Sequence, residues 1–454
     1  MGLKAFTIYF KELSNINSIL LTTRIKKYCL NKENGYLPFS YFIDNQHRYS
    51  IGQIKKESYK EDGKVAIIDQ SQNIVSGYSN KENLVYNGSL PVIIFGDHTR
   101  IFKYIDFPFI QGADGIKIIK PNESVVNPKF FYYLLSKYGV PSRGYNRHFT
   151  ILKKQKYPLI KKETQERIID EIDHIEKNIV NLKDQVREQH DIINNIFARM
   201  LGFDENLFND FGKGMTAGTQ IAKDRDIRLF QANLGEIVRS NILRFSTRYH
   251  NTPTKILMDL IDTINTFKIK DILTEPIHRG ATPEYNPNGN IPVVKTAHLK
   301  NGYIVISQEE FVNYDYYNSS TRSQIKKGDI LLASTGKVSL GKIDLMSHNI
   351  KAVADSHVSI IRINKNKYNS LFFTYFFRSI LGYFQIERDY TGTTNQIELY
   401  PDDISTFLIP GISLDKQKII VDEIKAELGK QRDIKKQIEI ERNKIDEIIE
   451  NAVK

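Results

Sequence analysis

The chain has 454 residues and a single cysteine, Cys29. One cysteine excludes an internal disulfide framework and a cysteine-rich zinc site, and it fits a reducing cytosol. The sequence also lacks an apolar run long enough to cross a membrane. Its first residues, MGLKAFTIYFKEL, include the acidic Glu12 and show no signal-peptide pattern. We therefore expect a soluble intracellular protein.

Signatures of catalysis are also missing. The sequence has no Asn/Asp-Pro-Pro-Tyr/Phe tetrad of an amino-methyltransferase, no GxGxxG motif after a strand, and no HExxH or paired metal spacing among its ten histidines. Residues 336–343 (GKVSLGKI) satisfy GxxxxGK, but Ile343 stands where a P-loop needs Ser or Thr to hold magnesium. Asp97 and His98 have no visible nucleophile to pair with. We predict no catalytic residue and no metal site, and we interpret residues 336–343 as a Gly-rich hairpin.

Positive charge is in excess, but it is unevenly distributed. The whole chain carries a net charge of +11. Residues 163–200 carry −4 and residues 415–454 carry zero, so the rest of the chain carries +15. Cations concentrated in the remaining, globular parts are what a polyanion-binding protein needs, because neutralised phosphates release condensed counterions. Solubility of a lysine-rich chain is the alternative explanation.

The sequence contains one stretch twice. Residues 163–172 read ETQERIIDEI, and residues 415–424, which lie 252 positions later, read DKQKIIVDEI. Each copy opens a long polar segment whose apolar residues recur at alternating spacings of four and three, as in the seam of a coiled coil. Glu427 and Gln431 interrupt the second seam. The residues that we assign to the two seams are Ile168, Ile172, Ile175, Ile179, Leu182, Val186, Ile420, Ile424, Ile434, Ile438, Ile445 and Ile448.

A narrow apolar seam predicts that each segment packs against a long partner helix. Because the two copies share one register and each follows a globular stretch, we predict that they pair with each other. At about 1.5 Å per residue, a helix of roughly 38 residues is a rod of about 57 Å. The pair would therefore act as a spacer. Ordinary amphipathic helices in a bundle are the alternative.

The globular stretches before the two seams repeat one order of elements. In each, short β-type runs punctuated by Gly, Asn and Asp precede a helix, at residues 127–139 (NPKFFYYLLSKYG) and at residues 369–377 (NSLFFTYFF). Further helices are predicted within residues 12–28 and 253–264, and residues 201–240 form a connection. The predicted strands are residues 65–69, 90–96, 115–120, 267–272, 291–295, 328–334 and 357–363.

Seven stretches of the sequence carry a resemblance to a known family. They are residues 279–283 (RGATP), 328–343 (GDILLASTGKVSLGKI), 392–399 (GTTNQIEL), 407–424 (FLIPGISLDKQKIIVDEI), 92–99 (VIIFGDHT), 108–119 (PFIQGADGIKII) and 157–172 (YPLIKKETQERIIDEI). On these stretches the chain resembles the specificity subunit of type I restriction-modification systems. The first half shows no counterpart of the RGATP stretch found in the second half, and residues 201–240 match nothing in the family.

The resemblance implies an α+β fold with two α/β target-recognition domains in pseudo-repeat, separated by two long helices that pack as an antiparallel coiled coil. The boundaries that follow are residues 1–158 for the first recognition domain with a helical lead-in, 159–202 for the first long helix, 203–265 for a linker and second lead-in, 266–410 for the second recognition domain, and 411–454 for the second long helix.

The resemblance also implies a function without catalysis by this chain. Each recognition domain would read one half of a split double-stranded DNA target. The helices would hold the halves apart and dock two methyltransferase subunits, and through them the restriction and translocase subunits. The methyltransferase subunits would carry S-adenosylmethionine and flip the target adenine, while this chain would bind no cofactor. Such a complex methylates DNA and defends a bacterial or archaeal cytoplasm against phage.

Candidate DNA contacts combine position in these stretches with suitable chemistry. Arg and Lys can bind guanine or phosphate, Asn and Gln can pair with adenine, and hydroxyls can do either. In the first domain the candidates are His98, Thr99, Arg100, Lys103, Arg143, Asn146, Arg147 and His148. In the second domain they are Arg279, Thr282, Thr335, Lys337, Ser339, Lys342, Thr393, Thr394, Asn395 and Gln396.

Two other functions stay open. The chain could be a methyltransferase or nuclease with an unrecognised motif, in which case it would act without a partner. It could also be a coiled-coil scaffold whose basic domains bind nucleic acid without sequence preference. The scaffold would lose affinity with salt equally for all sequences.

Overall fold

The computed structural model describes residues 35–112, 115–141, 144, 147–204, 208, 235, 247–250, 252–393 and 396–454. Helices and strands both contribute to the fold, which confirms the predicted α+β class. No helix among these residues is long and apolar enough to span a membrane. The helix predicted within residues 12–28 and most of the connection 201–240 lie outside the described residues.

The chain forms two compact units, residues 1–185 with 434–454 and residues 186–433. These units cut across the boundaries predicted from the sequence. Residues 434–454, the end of the second predicted long helix, group with the first recognition domain, and residues 186–202 of the first predicted helix group with the second domain. Each unit therefore contains part of both long helical segments.

The strands described in the first unit form two three-stranded sheets and a separate pair. In one sheet β2 lies between antiparallel β3 and parallel β6; in the other β4 lies between antiparallel β5 and β7, while β1 pairs with β8. The strands are β1 (Tyr36–Pro38), β2 (Val65–Ile68), β3 (Gly77–Ser79), β4 (Val92–Gly96), β5 (Phe102–Ile105), β6 (Phe109–Gln111), β7 (Ile116–Ile119) and β8 (Lys156–Pro158). The strands predicted at residues 65–69, 90–96 and 115–120 correspond to β2, β4 and β7.

Helix α1 (Pro128–Tyr138) packs on β5 and β4 of the first unit, as the segment 127–139 predicts. It begins where Asn127 Oδ1 accepts from the Lys129 and Phe130 amides at 2.9 and 3.1 Å, a standard N-cap. Its Phe131 ring is fully buried and stacks on Phe42 at 5.5 Å between ring centroids. The other helices of this unit are α2 (Phe149–Leu152) and α3 (Lys162–Asp184).

The strands described in the second unit form two four-stranded sheets and two pairs. The sheet orders are β10-β17-β14-β15 and β12-β11-β16-β13, and β18 pairs with β19 and β20 with β9. The strands are β9 (Thr266–Lys268), β10 (His278–Arg279), β11 (Ile291–Val294), β12 (Phe311–Val312), β13 (Gln324–Ile325), β14 (Ile330–Ala333), β15 (Ile343–Leu345), β16 (Ala352–Ala354), β17 (Val358–Ile361), β18 (Thr391–Thr393), β19 (Gln396–Glu398) and β20 (Leu408–Pro410).

One predicted strand of the second unit is wrong in its second half. Residues 267–272 were expected to be extended, but only β9 is, and Ile269–Ile272 form a 3₁₀ turn. Ile269 and Ile272 are both buried. Their spacing of three places both side chains on one side of a 3₁₀ turn, whereas a strand would place them on opposite faces.

The helices of the second unit surround a large apolar core rich in phenylalanine. Phe372, Phe373 and Phe376 of the closing helix α8 are fully buried, and Phe197 of the first long helical segment packs against two of them. The helices are α4 (Gln189–Leu201), α5 (Thr247–His250), α6 (Thr252–Asp262), α7 (Tyr314–Ser319), α8 (Ser370–Arg378), α9 (Ile380–Asp389), α10 (Pro401–Thr406) and α11 (Leu414–Ala452), of which α11 continues into the first unit.

The 252-residue repeat has a structural counterpart in two buried glutamines. In the first unit Gln165 accepts from the Asn127 amide at 2.7 Å and donates to Ile160 O at 2.8 Å. In the second unit Gln417 accepts from the Asn369 amide at 2.8 Å and donates to Ile412 O at 2.9 Å. Each glutamine therefore fixes the start of a long helix to the N-cap of the helix that closes its domain. We refer to the two as the glutamine clamps.

The first predicted long helix is interrupted. Helix α3 ends at Asp184, α4 begins at Gln189, and Glu188 between them has an extended backbone conformation. The seam-breaking residues of the repeat lie against this interruption, since Gln431 Oε1 accepts from the Arg187 amide at 2.9 Å and Glu427 pairs with the Arg187 guanidinium at 2.7 Å. The heptad pattern missed the break because the seam spacing continues through it.

The assigned seam residues are all buried or half-buried. Within the second unit α4 runs antiparallel to α11, because Arg187 contacts Glu427 while the later Arg199 contacts the earlier Glu423. Within the first unit, Lys137 of α1 pairs with Asp446 and Glu450 of α11, each at 3.0 Å. The second predicted helix, residues 411–454, is continuous over Leu414–Ala452.

Candidate nucleic-acid interface

Three segments chosen from the sequence meet in the second unit. Residues 279–283, 334–342 and 391–399 come from separate parts of the chain, and we call them together the second-domain loop cluster. Gly336 N–H donates to Ile397 O at 3.1 Å, and the Leu399 amide donates to Ser334 O at 2.9 Å. The sheet edge of β10 adds the third segment through Arg279. Backbone hydrogen bonds therefore join two of the segments, and the Arg279 side chain joins the third.

Arg279 is held inside the cluster and does not project from it. Its Nη1 donates to Glu398, its Nη2 donates to Leu399 O at 2.6 Å, and its guanidinium lies 5.2 Å from the centre of the Tyr400 ring. Tyr400 Oη also donates to Glu398 at 2.8 Å. The hydrogen bond from Arg279 lowers the pKa of the Glu398 carboxyl. Arg279 thus ties β10 to the hairpin of β18 and β19, and reaching a base would break these bonds.

The loop at residues 334–342 connects antiparallel strands β14 and β15. It is therefore a hairpin, as predicted, and not the strand–loop–helix arrangement of a P-loop. Lys337 at its tip is exposed, while Thr335 and Ser339 are half-buried. Burial and the neighbouring Lys300 lower the pKa of the half-buried Lys342 ammonium.

The remaining second-domain candidates lie at the edges of the cluster. Thr282 is exposed, and its carbonyl accepts from Tyr316 Oη at 2.9 Å. Gln396 is exposed at the start of β19. The side chain of Thr393 and the whole of Thr394 and Asn395 lie outside the described residues. Where it can be followed, the hairpin of β18 and β19 thus presents polar groups beside the loop.

In the first unit the corresponding loop is the tight turn between β4 and β5. Thr99 is exposed, and His98 and Arg100 are half-buried. Arg100 adopts the left-handed backbone conformation with φ 62°. Asp97 is buried, and its Oδ1 accepts from the amides of His148 and Phe149, both at 2.8 Å. Asp97 therefore has a structural role in holding the start of α2, which accounts for it without catalysis.

Two first-domain candidates are placed where DNA cannot reach them. Lys103 is 4% exposed, and its Nζ donates to Asn73 O. His148 is fully buried, and its Nδ1 lies 2.9 Å from Asp97 O. Lys103 and His148 have side chains of a type that can contact DNA, but both side chains face the interior. Arg147 is exposed, while Arg143 and Asn146 lie outside the described residues.

The two units use the same backbone hydrogen bond to close these surfaces. In the first unit the His148 amide donates to Asp97 O at 3.1 Å, and in the second the Leu399 amide donates to Ser334 O at 2.9 Å. His148 and Leu399 each follow a segment that the sequence marked as a DNA contact. His148 of the first domain therefore corresponds in position to Leu399 of the second.

The structure also reveals a first-domain counterpart of residues 275–280, the segment that ends with Arg279 and Gly280 of the RGATP stretch; the sequence comparison missed it. Before it, the Asp44 amide donates to Lys120 O at 2.8 Å, as Thr274 donates to Arg362 O at 2.9 Å. After it, the Ile54 amide donates to Gln111 O at 3.0 Å, as Ala281 donates to Ala354 O at 3.2 Å. The counterpart is the segment between these two anchors, residues 45–53, which corresponds to residues 275–280.

The counterpart segment differs from its partner in length and path. It is three residues longer, and it packs against the Tyr86 region instead of following a sheet edge: His47 Nε2 lies 2.6 Å from Tyr86 Oη, and the rings of Tyr49 and Tyr86 are 5.3 Å apart. Arg48 and Tyr49 are exposed. The one sequence signal was the His-Arg pair at residues 47–48, which matches the His-Arg pair at residues 278–279.

The described part of the chain contains no group of three or more His, Cys, Asp or Glu side chains that could hold a metal ion. The buried charges that it does contain are satisfied within the fold. Asp344, for example, is fully buried, accepts from the Lys300 and Gly302 amides and pairs with Arg378. Asp344 therefore stabilises the loop at residues 300–302.

Residues 261–448 match the family model described as the type I restriction modification DNA specificity domain. The match covers the second recognition domain and most of α11, and it confirms the resemblance inferred from the sequence. No curated protein sequence matches the chain.

Three solved structures are similar to the chain at low sequence identity. The S subunit of a type I restriction-modification system from M. genitalium is 14% identical, with a TM-score of 0.46, over 94% of this chain and 98% of that one. A structure described as the basis of complex assembly and conformational transition of the type I R-M system is 11% identical, with a TM-score of 0.49, over 92% and 97%. The HsdS subunit from Thermoanaerobacter tengcongensis is 12% identical, with a TM-score of 0.38, over 92% and 97%.

Proposed function

We propose that the chain is the specificity subunit of a type I restriction-modification system, as the family match of residues 261–448 supports, and that it gives such a complex its DNA sequence preference. Each domain binds one half of a split duplex target. The second-domain loop cluster contacts one half. The turn between β4 and β5, together with Arg147, contacts the other.

One observation carries this proposal: three distant segments form a single surface inside the matched residues 261–448. Donors and acceptors from several segments can contact successive base edges and phosphates, which one loop alone cannot do. The net charge of +15 outside the two helical segments supports an anionic ligand.

We further propose that the helices dock two methyltransferase subunits and, through them, the restriction and translocase subunits. The partners carry S-adenosylmethionine and perform the chemistry, and this chain contributes no catalytic group. Support comes from exposed apolar residues on the helices, where Val180 is 53%, Ile419 56% and Ile440 45% exposed. Apolar side chains that are left in solvent on otherwise polar helices suit a protein partner.

The test is binding of the chain, with and without its methyltransferase subunits, to a duplex library at low and raised salt. We expect raised salt to lower the affinity for every duplex, while duplexes that carry one split motif remain bound more tightly than the others. Equal loss for every sequence would instead favour the scaffold with basic domains. Methyl transfer by the chain alone would favour the enzyme alternative.

A further inference from the structure

The most exposed large apolar side chain in the described part of the chain is Val338, with 71% of its surface exposed. It lies at the tip of the loop at residues 334–342, between the exposed Lys337 and the half-buried Ser339. Isolated surface valines are common and need no explanation. Val338 differs because it stands at the tip of the second-domain loop cluster, where its neighbours in sequence, Lys337 and Ser339, are polar.

The loop presents Val338 on a rigid support. Both Ser339 and Leu340 amides donate to Gly336 O, at 3.0 and 2.8 Å, and the Gly341 amide donates to Ala333 O at 3.0 Å. Leu340 is fully buried and anchors the loop from below. These bonds close the loop on both sides of its tip. A β-branched side chain adds to the rigidity, because it has few allowed rotamers.

Glycines at both ends of the loop make this shape possible. Gly336 and Gly341 have φ of 86° and 84°, in the left-handed region that favours glycine. At Gly341 an added Cβ would lie 2.7 Å from the Tyr383 ring, so the loop also packs closely on α9. The tip is therefore a fixed projection and not a flexible linker.

The side chains at the tip of the loop restrict the kind of ligand that it can contact. An apolar group beside a lysine and a hydroxyl does not suit an apolar groove of a protein, which would have to bury Lys337 as well. The side chains that insert between stacked bases as wedges are Phe, Leu, Ile, Met or Pro, and valine is not among them. The apolar feature that a base edge offers in the major groove is the 5-methyl group of thymine.

We propose that Val338 is a specificity-determining residue that contacts the 5-methyl group of one thymine in the target. This inference rests on the proposed function and deepens it, because it assigns one base to one side chain. Lys337 and Ser339 on either side contact the backbone or the edges of the neighbouring bases. Replacing that thymine by deoxyuridine removes only the methyl group and keeps every hydrogen bond of the base pair.

The test combines a change in the protein with a change in the DNA. In the complex with its methyltransferase subunits, the wild-type chain is titrated with its target and with duplexes in which each thymine in turn is deoxyuridine. We expect about a fourfold loss at one position, the effect of one buried carbon group. The Val338→Ala variant should bind the thymine duplex more weakly than the wild-type chain does. Its affinities for the thymine and deoxyuridine duplexes should be equal.

Val305→Ala is the matched control, since Val305 is 38% exposed in the same unit but outside the cluster. This variant should keep the full thymine preference. Undiminished preference in Val338→Ala, or no position in the wild-type target that responds to deoxyuridine, overturns the inference and leaves the proposed function standing. Equal wild-type affinity for target and unrelated duplexes overturns the proposed function and the inference together.

Discussion

At the residue scale, the type of side chain was predictable from the sequence and its orientation was not. Arg279 was chosen because arginine binds guanine well, yet its Nη1 and Nη2 donate to Glu398 and Leu399 O. Lys103 and His148 had suitable chemistry but are buried. Lys337, Thr282 and Gln396 had the same chemistry and are exposed. Orientation depends on which strand pairs with which, and such pairings can join residues that are far apart in sequence, as Arg279 and Ser359 are.

Arg279 and Glu398 should behave as one unit. We expect Arg279→Ala and Glu398→Ala each to destabilise the second domain by about 1 kcal/mol, since the pair is charged but partly solvated. The double variant should cost no more than the larger single change. A double-mutant cycle from chemical denaturation measures this coupling. Glu284→Ala, at an exposed glutamate of the same unit, is the control.

The same variants decide what Arg279 does to DNA. Because Nη1 and Nη2 of Arg279 hold the hairpin of β18 and β19, Arg279→Ala should weaken binding to all sequences alike through disorder of this hairpin. Relaxed preference at a single base pair would show instead that Arg279 reads that base. Strict additivity of the two stability changes would show that the ion pair contributes nothing.

At the element scale, periodicity predicted most strands and helices but not how they are joined. The alternating and apolar runs gave β2, β4, β7, β11, β14 and β17, and the phenylalanine-rich segments gave α1 and α8. The glutamine clamps were visible only as matching letters in the repeat. The break between α3 and α4 was missed, because it depends on Gln431 and Glu427 contacting Arg187. Local pattern cannot reveal a contact between residues 244 positions apart.

The glutamine clamps predict a specific loss of stability. Gln417 is fully buried, and Gln417→Ala leaves the Asn369 amide and the Ile412 carbonyl without a partner. The expected cost is about 1–3 kcal/mol. Gln437→Ala, at an exposed position of the same helix, should change stability by less than about 0.5 kcal/mol. Equal unfolding midpoints for both variants would contradict this role.

The interruption of the first helical segment gives a prediction opposite to that of the heptad pattern. By the seam alone, Gln431→Leu should stabilise the protein, because it restores an apolar position. We expect it to destabilise by about 1 kcal/mol, since the Arg187 amide loses its acceptor. Thermal unfolding compares this variant with Gln437→Leu. A higher midpoint for Gln431→Leu would mean that the seam outweighs the hydrogen bond.

At the scale of the whole molecule, the repeat predicted the order of domains and helices, whereas the structure defines the compact units. Parts of both helical segments belong to each unit. The first unit joins residues 1–185 to residues 434–454 and is therefore discontinuous in sequence, whereas the second unit is the continuous stretch 186–433. The first unit is discontinuous because α11 extends into it from the second unit. The repeat predicted two paired helices but not the residue at which α11 passes from one unit to the other.

Removal of α11 should therefore affect both units at once. A chain that ends at Gly411 loses the salt-bridge partners of Lys137 in one unit and of Arg187 in the other. It also exposes the apolar residues of α3 and α4. We expect loss of methyltransferase-subunit binding, measured by co-purification. Normal co-purification of the truncated chain would contradict docking on the helices.

The central claim is that this chain determines the sequence of a split DNA target, and methylome sequencing tests it most directly. Cells would express the chain with its methyltransferase subunits, either unaltered or with residues 267–410 exchanged for another recognition domain. We predict one split methylation motif, of which the exchange changes one half and leaves the other half as it was. A methylation pattern that does not depend on the chain, or an exchange that alters neither half, would contradict the claim.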